Sequence, residues 1–195
     1  MRTLLFACAI FLGFFLSFSI VAADECGQTP TDHCTISTST TFTPGNYQVE
    51  NITIIANDTV VDCNSASFTH VDGILFNVGG TRGVTIKNCY ASDYGRVITN
   101  EPSISLRLPV EQLTISDNVF TGLPGYAIYL INAPTLATAN YVLLNPFPNH
   151  QIMNNTITGS GAGILIDRTN NSIISDNTLE INGAPNYEGI YLVAS

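Results

Sequence analysis

Short apolar segments alternate with brief polar turns along most of this chain. Five segments share a pattern in which an apolar residue, a variable residue and an Asp/Asn-containing pair follow one another: "TVVDCN" (59–64), "TIKNCY" (85–90), "TISDNV" (114–119), "QIMNNT" (151–156) and "IISDNT" (173–178). Each is followed by a second apolar segment: "GILF" (73–76), "RVIT" (96–99), "AIYL" (127–130), "GILI" (163–166) and "GIYL" (189–192). The pattern predicts a repeated unit of strand, polar turn, short apolar piece, strand and loop.

The length of the repeat, about 22 residues at its shortest, narrows the fold class. Helix-pair repeats are longer and need an apolar period of 3.6 residues, which this chain lacks. A leucine-rich signature is also missing. Short strands rich in Asn, Thr, Ile and Val cannot bury an inner face alone, but coils stacked on one another form parallel sheets around one core. The sequence therefore predicts an all-β solenoid.

Over about residues 45 to 195, these motifs resemble the right-handed parallel β-helix repeat proteins. That group includes pectate lyases, polygalacturonases and the NosD-like carbohydrate-binding and sugar-hydrolase domains. The resemblance implies a right-handed parallel β-helix of about five to six coils. We expect residues 51–195 to form the coils and residues 24–50 to form an N-terminal cap and lead-in strand. The chain stops directly after a strand, which predicts either missing C-terminal coils or docking against another subunit.

The second residue of each polar pair defines a column across the coils. It reads Cys63, Cys89, Asn118, Asn155 and Asn177. We assign this column to a stacked turn ladder, in which each Asn amide bonds its neighbour and the residue tolerates a left-handed backbone. Periodicity alone does not exclude the first residue of the pair from that role.

Four cysteines remain beyond the first 23 residues. Adjacent strands lie about 4.8 Å apart, near the Cα separation of a disulfide, so Cys63 and Cys89 form either a disulfide between consecutive coils or stacked free thiols. If they are bonded, Cys26 and Cys34 close a small N-terminal loop. An even cysteine count favours two disulfides in an exported chain.

The apolar run at residues 4–20, which ends in small residues, predicts a signal peptide at 1–23. The run is long for a cleaved leader, so an uncleaved signal anchor is the alternative and the only predicted membrane contact. A secreted or cell-surface protein follows from either reading. Sequons for N-glycosylation begin at Asn51, Asn57, Asn154 and Asn170.

The formal net charge of −9 makes nucleic acid and anionic membranes unfavourable partners. The simplest explanation of this acidity is that it keeps an exported protein soluble.

Two coils carry insertions at the same corner, at 100–112 and 132–150. Insertions at one corner of a solenoid collect on one face, which is often the binding face. Aromatic rings beside an Arg and carboxylates suit a polysaccharide or cell-surface glycan, because the ring stacks on the sugar and polar groups bond its hydroxyls. The candidate binding residues are Glu101, Arg107, Glu111, Tyr141 and Phe147. The alternative is that the apolar residues of the second insertion fold back onto the coils.

No catalytic residue, metal ligand or cofactor is predicted. The chain has no adjacent Asp-Asp pair and none of the polygalacturonase-like motifs. A Ca²⁺ site is an alternative at the first residues of the polar pairs, because their oxygens lie on successive coils, but carboxylates and amides alternate there. That column reads Asp62, Asn88, Asp117, Asn154 and Asp176.

The three histidines do not indicate a metal site. His33, His70 and His150 show no ligand spacing in the sequence, and nothing resembles the soft-metal site that the copper-enzyme association of NosD-like proteins would suggest.

The leading hypothesis for the function is a non-catalytic carbohydrate-binding or surface module. The alternatives are a polysaccharide lyase or glycoside hydrolase with an unrecognised or truncated active site, with Arg107 as candidate lyase base, and a structural adhesin-like stalk.

Overall fold

The structure is a computed structural model that describes part of the chain. The described residues are 24–101, 110–131, 147–159, 161, 163–167, 169–182 and 189–193, with only the backbone described at 147–148, 169–170 and 193. All of the regular elements in these ranges are strands, twenty-one in number. The predicted signal peptide at 1–23 lies outside the described residues.

The strands form three parallel sheets, which we name A, B and C. Sheet A contains β1 (Thr35–Ile36), β4 (Ile52–Ile54), β7 (Ile74–Asn77), β10 (Arg96–Thr99), β13 (Tyr126–Ile131), β17 (Ile164–Asp167) and β21 (Ile190–Val193). Sheet B contains β2 (Thr40–Thr41), β5 (Val60–Asp62), β8 (Thr85–Lys87), β11 (Thr114–Ser116), β15 (Gln151–Met153) and β19 (Ile173–Ser175). Sheet C contains β3 (Asn46–Tyr47), β6 (Ser67–Thr69), β9 (Tyr90–Ser92), β12 (Val119–Leu123), β16 (Thr156–Gly159) and β20 (Thr178–Ile181). A separate two-stranded sheet pairs β14 (Phe147–Pro148) with β18 (Thr169–Asn170).

The chain visits sheets B, C and A in turn, and each visit completes one coil. Six such coils, each one strand high, follow β1 in the described part of the chain. This confirms the predicted all-β parallel β-helix. The first coil uses β2 and β3, which lie inside the 24–50 segment that the sequence suggested was a cap.

The core consists of apolar columns that run through the coils in register. In sheet B the pairs Val61–Ile86, Ile86–Ile115 and Ile115–Ile152 stack directly, and all four side chains are buried. Burying one such side chain contributes about 1.5–3 kcal/mol. The same inner position therefore has to be apolar in every coil, which is why the repeat is visible in the sequence.

At the corner between sheets B and C, one residue of the polar pair adopts the left-handed backbone and the other forms the side-chain ladder. In four coils the first residue adopts the left-handed backbone, with φ of 57° at Asn88, 58° at Asp117, 55° at Asn154 and 56° at Asp176, whereas in the coil of Asp62 the positive φ angles fall on Asn64 and Ser65. Asp and Asn tolerate this region because their short side chains bond the local backbone. The sequence interpretation had given the left-handed backbone to the ladder residue, and that was wrong.

The second residue of the pair turns its side chain inward and forms the ladder. The Asn118 Nδ2 donates to Asn155 Oδ1 at 2.9 Å, and the Asn155 Nδ2 donates to Asn177 Oδ1 at 2.9 Å. The same oxygens accept from the backbone N–H of the residue one coil earlier, at 3.1 and 3.0 Å. Each rung therefore satisfies buried groups on two coils at once.

Disulfide bonds replace or supplement these contacts at the N-terminal end. Cys63 and Cys89, in the ladder column, are bonded, with Cα atoms 4.8 Å apart. Cys26 and Cys34 are bonded as well. The two predicted disulfides are confirmed. The backbone N–H of Cys89 donates to Asn118 Oδ1 at 3.0 Å, so the disulfide continues directly into the amide ladder.

A second left-handed turn recurs at the corner between sheets A and B. Its positive φ angles fall on a mixture of residue types, namely Asp58, Gly83, Gln112, Asn149 and Asn171. Because Gly and Gln interrupt the Asp/Asn residues at these positions, the sequence did not reveal the turn. Both insertions enter the stack at this corner.

Candidate functional site

The predicted binding face at the two insertions is only partly described. Arg107 and Tyr141 lie outside the described residues, and Phe147 is described by its backbone alone, which pairs with Thr169. Glu101 is 5% exposed, and its Oε2 accepts a hydrogen bond from Arg96 Nη1 at 2.9 Å. Glu111 is half-buried and forms an isolated parallel bridge with Arg82.

Arg96 and two tyrosines form a patch on sheet A that the sequence did not single out. We call Arg96, Tyr126 and Tyr129 the tyrosine patch. The guanidinium carbon of Arg96 lies 4.0 Å from the Tyr129 ring centroid, and the Tyr126 and Tyr129 rings are 5.2 Å apart. Arg96 is directly paired with Tyr126 across β10 and β13. All three side chains are half-buried, so each presents part of its surface to solvent.

Hydrogen bonds fix the backbone where the first insertion leaves the patch. The Asn100 Nδ2 donates to Ile131 O at 2.8 Å, and the Ile131 N–H donates to Asn100 Oδ1 at 2.9 Å. The Glu101 N–H donates to Thr99 Oγ1 at 3.1 Å. These bonds join the ends of β10 and β13, so the starts of both insertions are held beside the tyrosine patch.

Asp62 is the first carboxylate of the column that was a candidate Ca²⁺ site, and neighbouring protein groups already bond to it. The Lys87 Nζ lies 3.2 Å from Asp62 Oδ2, and the Asn88 Nδ2 donates to Asp62 Oδ1 at 2.9 Å. Burial raises the pKa of Asp62, but the hydrogen bonds from Asn88 and from the Asn64 N–H, with the Lys87 charge, outweigh it and lower the pKa below its usual value. Asp62 is thus held as a carboxylate by protein groups.

Two histidines that are far apart in the sequence meet at the corner between sheets C and A. The His33 Nε2 lies 3.8 Å from Glu50 Oε1, and the His70 Nε2 lies 3.7 Å from Glu50 Oε2. The sequence did not indicate that these histidines lie near one carboxylate. Spacing along the chain could not have revealed this proximity, because the residues belong to different coils.

The third histidine occupies a different environment. His150 is fully buried at the corner between sheets A and B, where its Nδ1 accepts from the Leu113 N–H at 3.2 Å. Burial lowers the pKa of His150 to about 4. The ring is therefore neutral at physiological pH and serves the fold.

The predicted glycosylation sites occupy contrasting positions. Asn154 and Asn57 are exposed, although Asn57 Oδ1 accepts from the Arg82 N–H at 2.9 Å. Asn51 is half-buried, and its Nδ2 lies 3.2 Å from His33 Nδ1. The side chain of Asn170 lies outside the described residues. Asn57 and Asn154 are thus more accessible to glycosylation than Asn51.

Stacked parallel coils, an amide ladder and insertions at one corner define a parallel β-helix protein. The family described as periplasmic copper-binding protein (NosD) matches residues 27–195. The chain belongs to this family. Neither a curated protein nor a solved structure matches it. The family is periplasmic, and the two disulfides agree with an exported, oxidising location.

The family description raises the question of whether these residues suit copper. The four cysteines of the described ranges are all bonded in disulfides, so they offer no thiolate. Among the described residues, no three or more His, Cys, Asp or Glu side chains form a group that could hold a metal ion. The described residues therefore do not fit a copper site.

Within the described ranges, no helix has the length and apolar character that a membrane crossing requires.

Proposed function

We propose that this NosD-family β-helix is an exported, non-catalytic module that binds a polysaccharide or cell-surface glycan through its insertion face. The observation that carries the proposal is the tyrosine patch beside both insertions. Half-exposed rings next to a guanidinium offer a sugar both a stacking surface and hydrogen-bond donors. The acidic net charge fits an uncharged glycan better than an anionic one.

The non-catalytic reading rests on the state of the nearby acids. Hydrolysis of a glycosidic bond needs two carboxyl groups that both reach the bond. Glu101 is 5% exposed and ion-paired with the half-buried Arg96, so approaching a sugar would require breaking this ion pair. The competing lyase or hydrolase reading would have to draw its catalytic groups from residues such as Arg107, and the stalk reading needs no ligand at all.

The localisation that accompanies this proposal is secreted or cell-surface. An exported module with a glycan ligand would meet that ligand in the cell envelope or outside the cell. Disulfides at the N-terminal end of the coil stack would protect the chain there.

A glycan-array screen of the purified protein tests the proposal, together with a degradation assay on the polysaccharides that bind. We expect binding without release of reducing or unsaturated ends. Tyr126→Ala should weaken binding by about tenfold, as the loss of one stacking ring implies. Tyr90→Ala is the matched control, because Tyr90 is a 45% exposed tyrosine on a strand of sheet C.

The outcomes separate the three readings. Equal losses of glycan affinity in the Tyr126 and Tyr90 variants would show that the insertion face is not the binding site. Cleavage products would establish an enzyme and direct attention to Arg107→Ala. Silence in both assays would support a structural stalk. Circular dichroism of each variant, compared with the parent chain, excludes loss of fold as the cause.

A further inference from the structure

The outer face of sheet A carries another exposed aromatic ring beyond the tyrosine patch. Tyr129 of β13 pairs with Leu165 of β17, and Leu165 pairs with Tyr191 of β21. In the paired part of β13 and β17, the residues packed into the core are Ile128, Leu130, Ile164 and Ile166. Because side chains alternate between the two faces of a strand, Tyr129, Leu165 and Tyr191 form one column that points away from the core. Tyr191 is 43% exposed, so its ring is open to solvent.

The two tyrosines of this column are separated by two strand spacings. Neighbouring parallel strands lie about 4.8 Å apart, so Tyr129 and Tyr191 are about 10 Å apart along the axis of the coil stack. Leu165 lies between them and is 8% exposed, so it offers a ligand little surface. The column therefore presents two separate aromatic contacts. One sugar ring cannot span them, whereas a chain of several sugars can.

The charges beside the column fit an uncharged chain. The guanidinium of Arg96 lies 4.0 Å from the Tyr129 ring centroid, and its Nη1 lies 2.9 Å from Glu101 Oε2. This cation is therefore already balanced by a protein carboxylate. The net charge of −9 disfavours an acidic polysaccharide still further.

The register of the strands fixes the path that such a chain takes. Tyr129, Leu165 and Tyr191 are direct partners on three consecutive strands, so the column runs straight across the sheet. A glycan that lies on both rings must therefore be extended over this distance. β-1,4-Linked glycans form extended ribbons whose flat sugar faces stack on aromatic rings, whereas α-1,4-linked glucans curl into helices.

From this geometry we propose that the tyrosine patch and Tyr191 together bind an extended, uncharged β-1,4-linked glycan that runs along the axis of the coil stack. This inference rests on the proposed glycan binding and adds the class of ligand and the direction of its chain. Two contacts on one ligand raise its affinity above that of either contact, because the second contact forms within the complex. A ligand too short to reach Tyr191 binds at the tyrosine patch alone.

Isothermal titration calorimetry of the purified protein tests this inference with cello-, manno- and xylo-oligosaccharides of two to six sugar units. Malto-oligosaccharides of the same lengths are the α-linked comparison. In at least one β-linked series, we expect the affinity to rise at least about tenfold from the disaccharide to the hexasaccharide. Tyr191→Ala should remove this rise and leave the affinity for the disaccharide unchanged. Tyr126→Ala should weaken binding at every length.

Two further variants separate the Tyr191 ring from its surroundings. Tyr191→Phe keeps the ring and should retain the rise of affinity with length. Ile173→Ala is the matched control, because Ile173 is a 53% exposed apolar residue on sheet B in the same coil. Circular dichroism of each variant checks that the fold is intact.

An affinity that does not rise with length, that still rises in Tyr191→Ala, or that loses its rise equally in Ile173→Ala would overturn this inference. Malto-oligosaccharides that bind as tightly as the β-linked series would also overturn it. In each of these cases, weaker binding in Tyr126→Ala would still support glycan binding at the tyrosine patch. Failure of every glycan and oligosaccharide to bind would instead refute the proposed function, and this inference with it.

Discussion

Acidification should destabilise this protein through one buried imidazole. His150 is fully buried, and its Nδ1 accepts from the Leu113 N–H, so the neutral ring carries its proton on Nε2. Within the described part of the chain, that Nε2 has no hydrogen-bond partner. Protonating Nδ1 would break the bond to Leu113 and place a charge in the core, which is why burial lowers the pKa.

The size and sign of the effect follow from the two pKa values. The pKa of His150 is about 4 in the folded state, against 6.5 for an ordinary histidine. As pH falls below 6.5, the unfolded chain takes up a proton that the folded chain does not, so stability decreases until the pH approaches the folded value. The difference of about 2.5 pKa units corresponds to about 3 kcal/mol, most of it lost by about pH 4.5.

Urea unfolding at a series of pH values from about 7.5 to 4.5 measures this loss. The comparison variant is His150→Asn, whose Oδ1 can accept the Leu113 hydrogen bond and does not titrate. All other acids and histidines titrate equally in both chains, so the difference between the two stability curves isolates His150. Parallel curves for the parent and the variant over this range would refute the reasoning.

Three further predictions concern the coil stack and can be checked by the same unfolding assay. Asn155→Ala removes a buried rung that bonds both neighbouring coils, and leaving those partners unsatisfied should cost about 3–5 kcal/mol; a loss below about 1 kcal/mol would show that water replaces the rung. Replacing Cys63 and Cys89 by Ser opens a loop of 26 residues and should cost about 3.5 kcal/mol, with equal stability under reducing conditions as the control. Gly125→Ala places a methyl group against a carbonyl oxygen of the preceding coil and should destabilise strongly. Gly27→Ala should not, because its methyl group would make only an ordinary contact, 4.0 Å from Thr29 N; equal effects would contradict the stacking.

The fold was largely predictable because the coils impose the same demands at the same intervals. Every coil needs an apolar inner residue and a left-handed corner, so Ile or Val followed by an Asp/Asn pair recurs along the chain. The first coil escaped this prediction because β2 and β3 carry no such pair. The turn at the corner between sheets A and B escaped it because Gly83 and Gln112 satisfy the same backbone requirement with different chemistry.

By itself, the sequence determined the parallel β-helix, the ladder column and the cysteine positions, since each depends on local spacing. Only the tertiary structure decided that Glu101 is buried against Arg96 and that two tyrosines share this guanidinium. Only the structure brought His33 and His70 to one carboxylate. These contacts depend on how coils of unequal length align at their corners. The repeat sets the register of the strands, but it does not show which side chains from different coils meet at the corners.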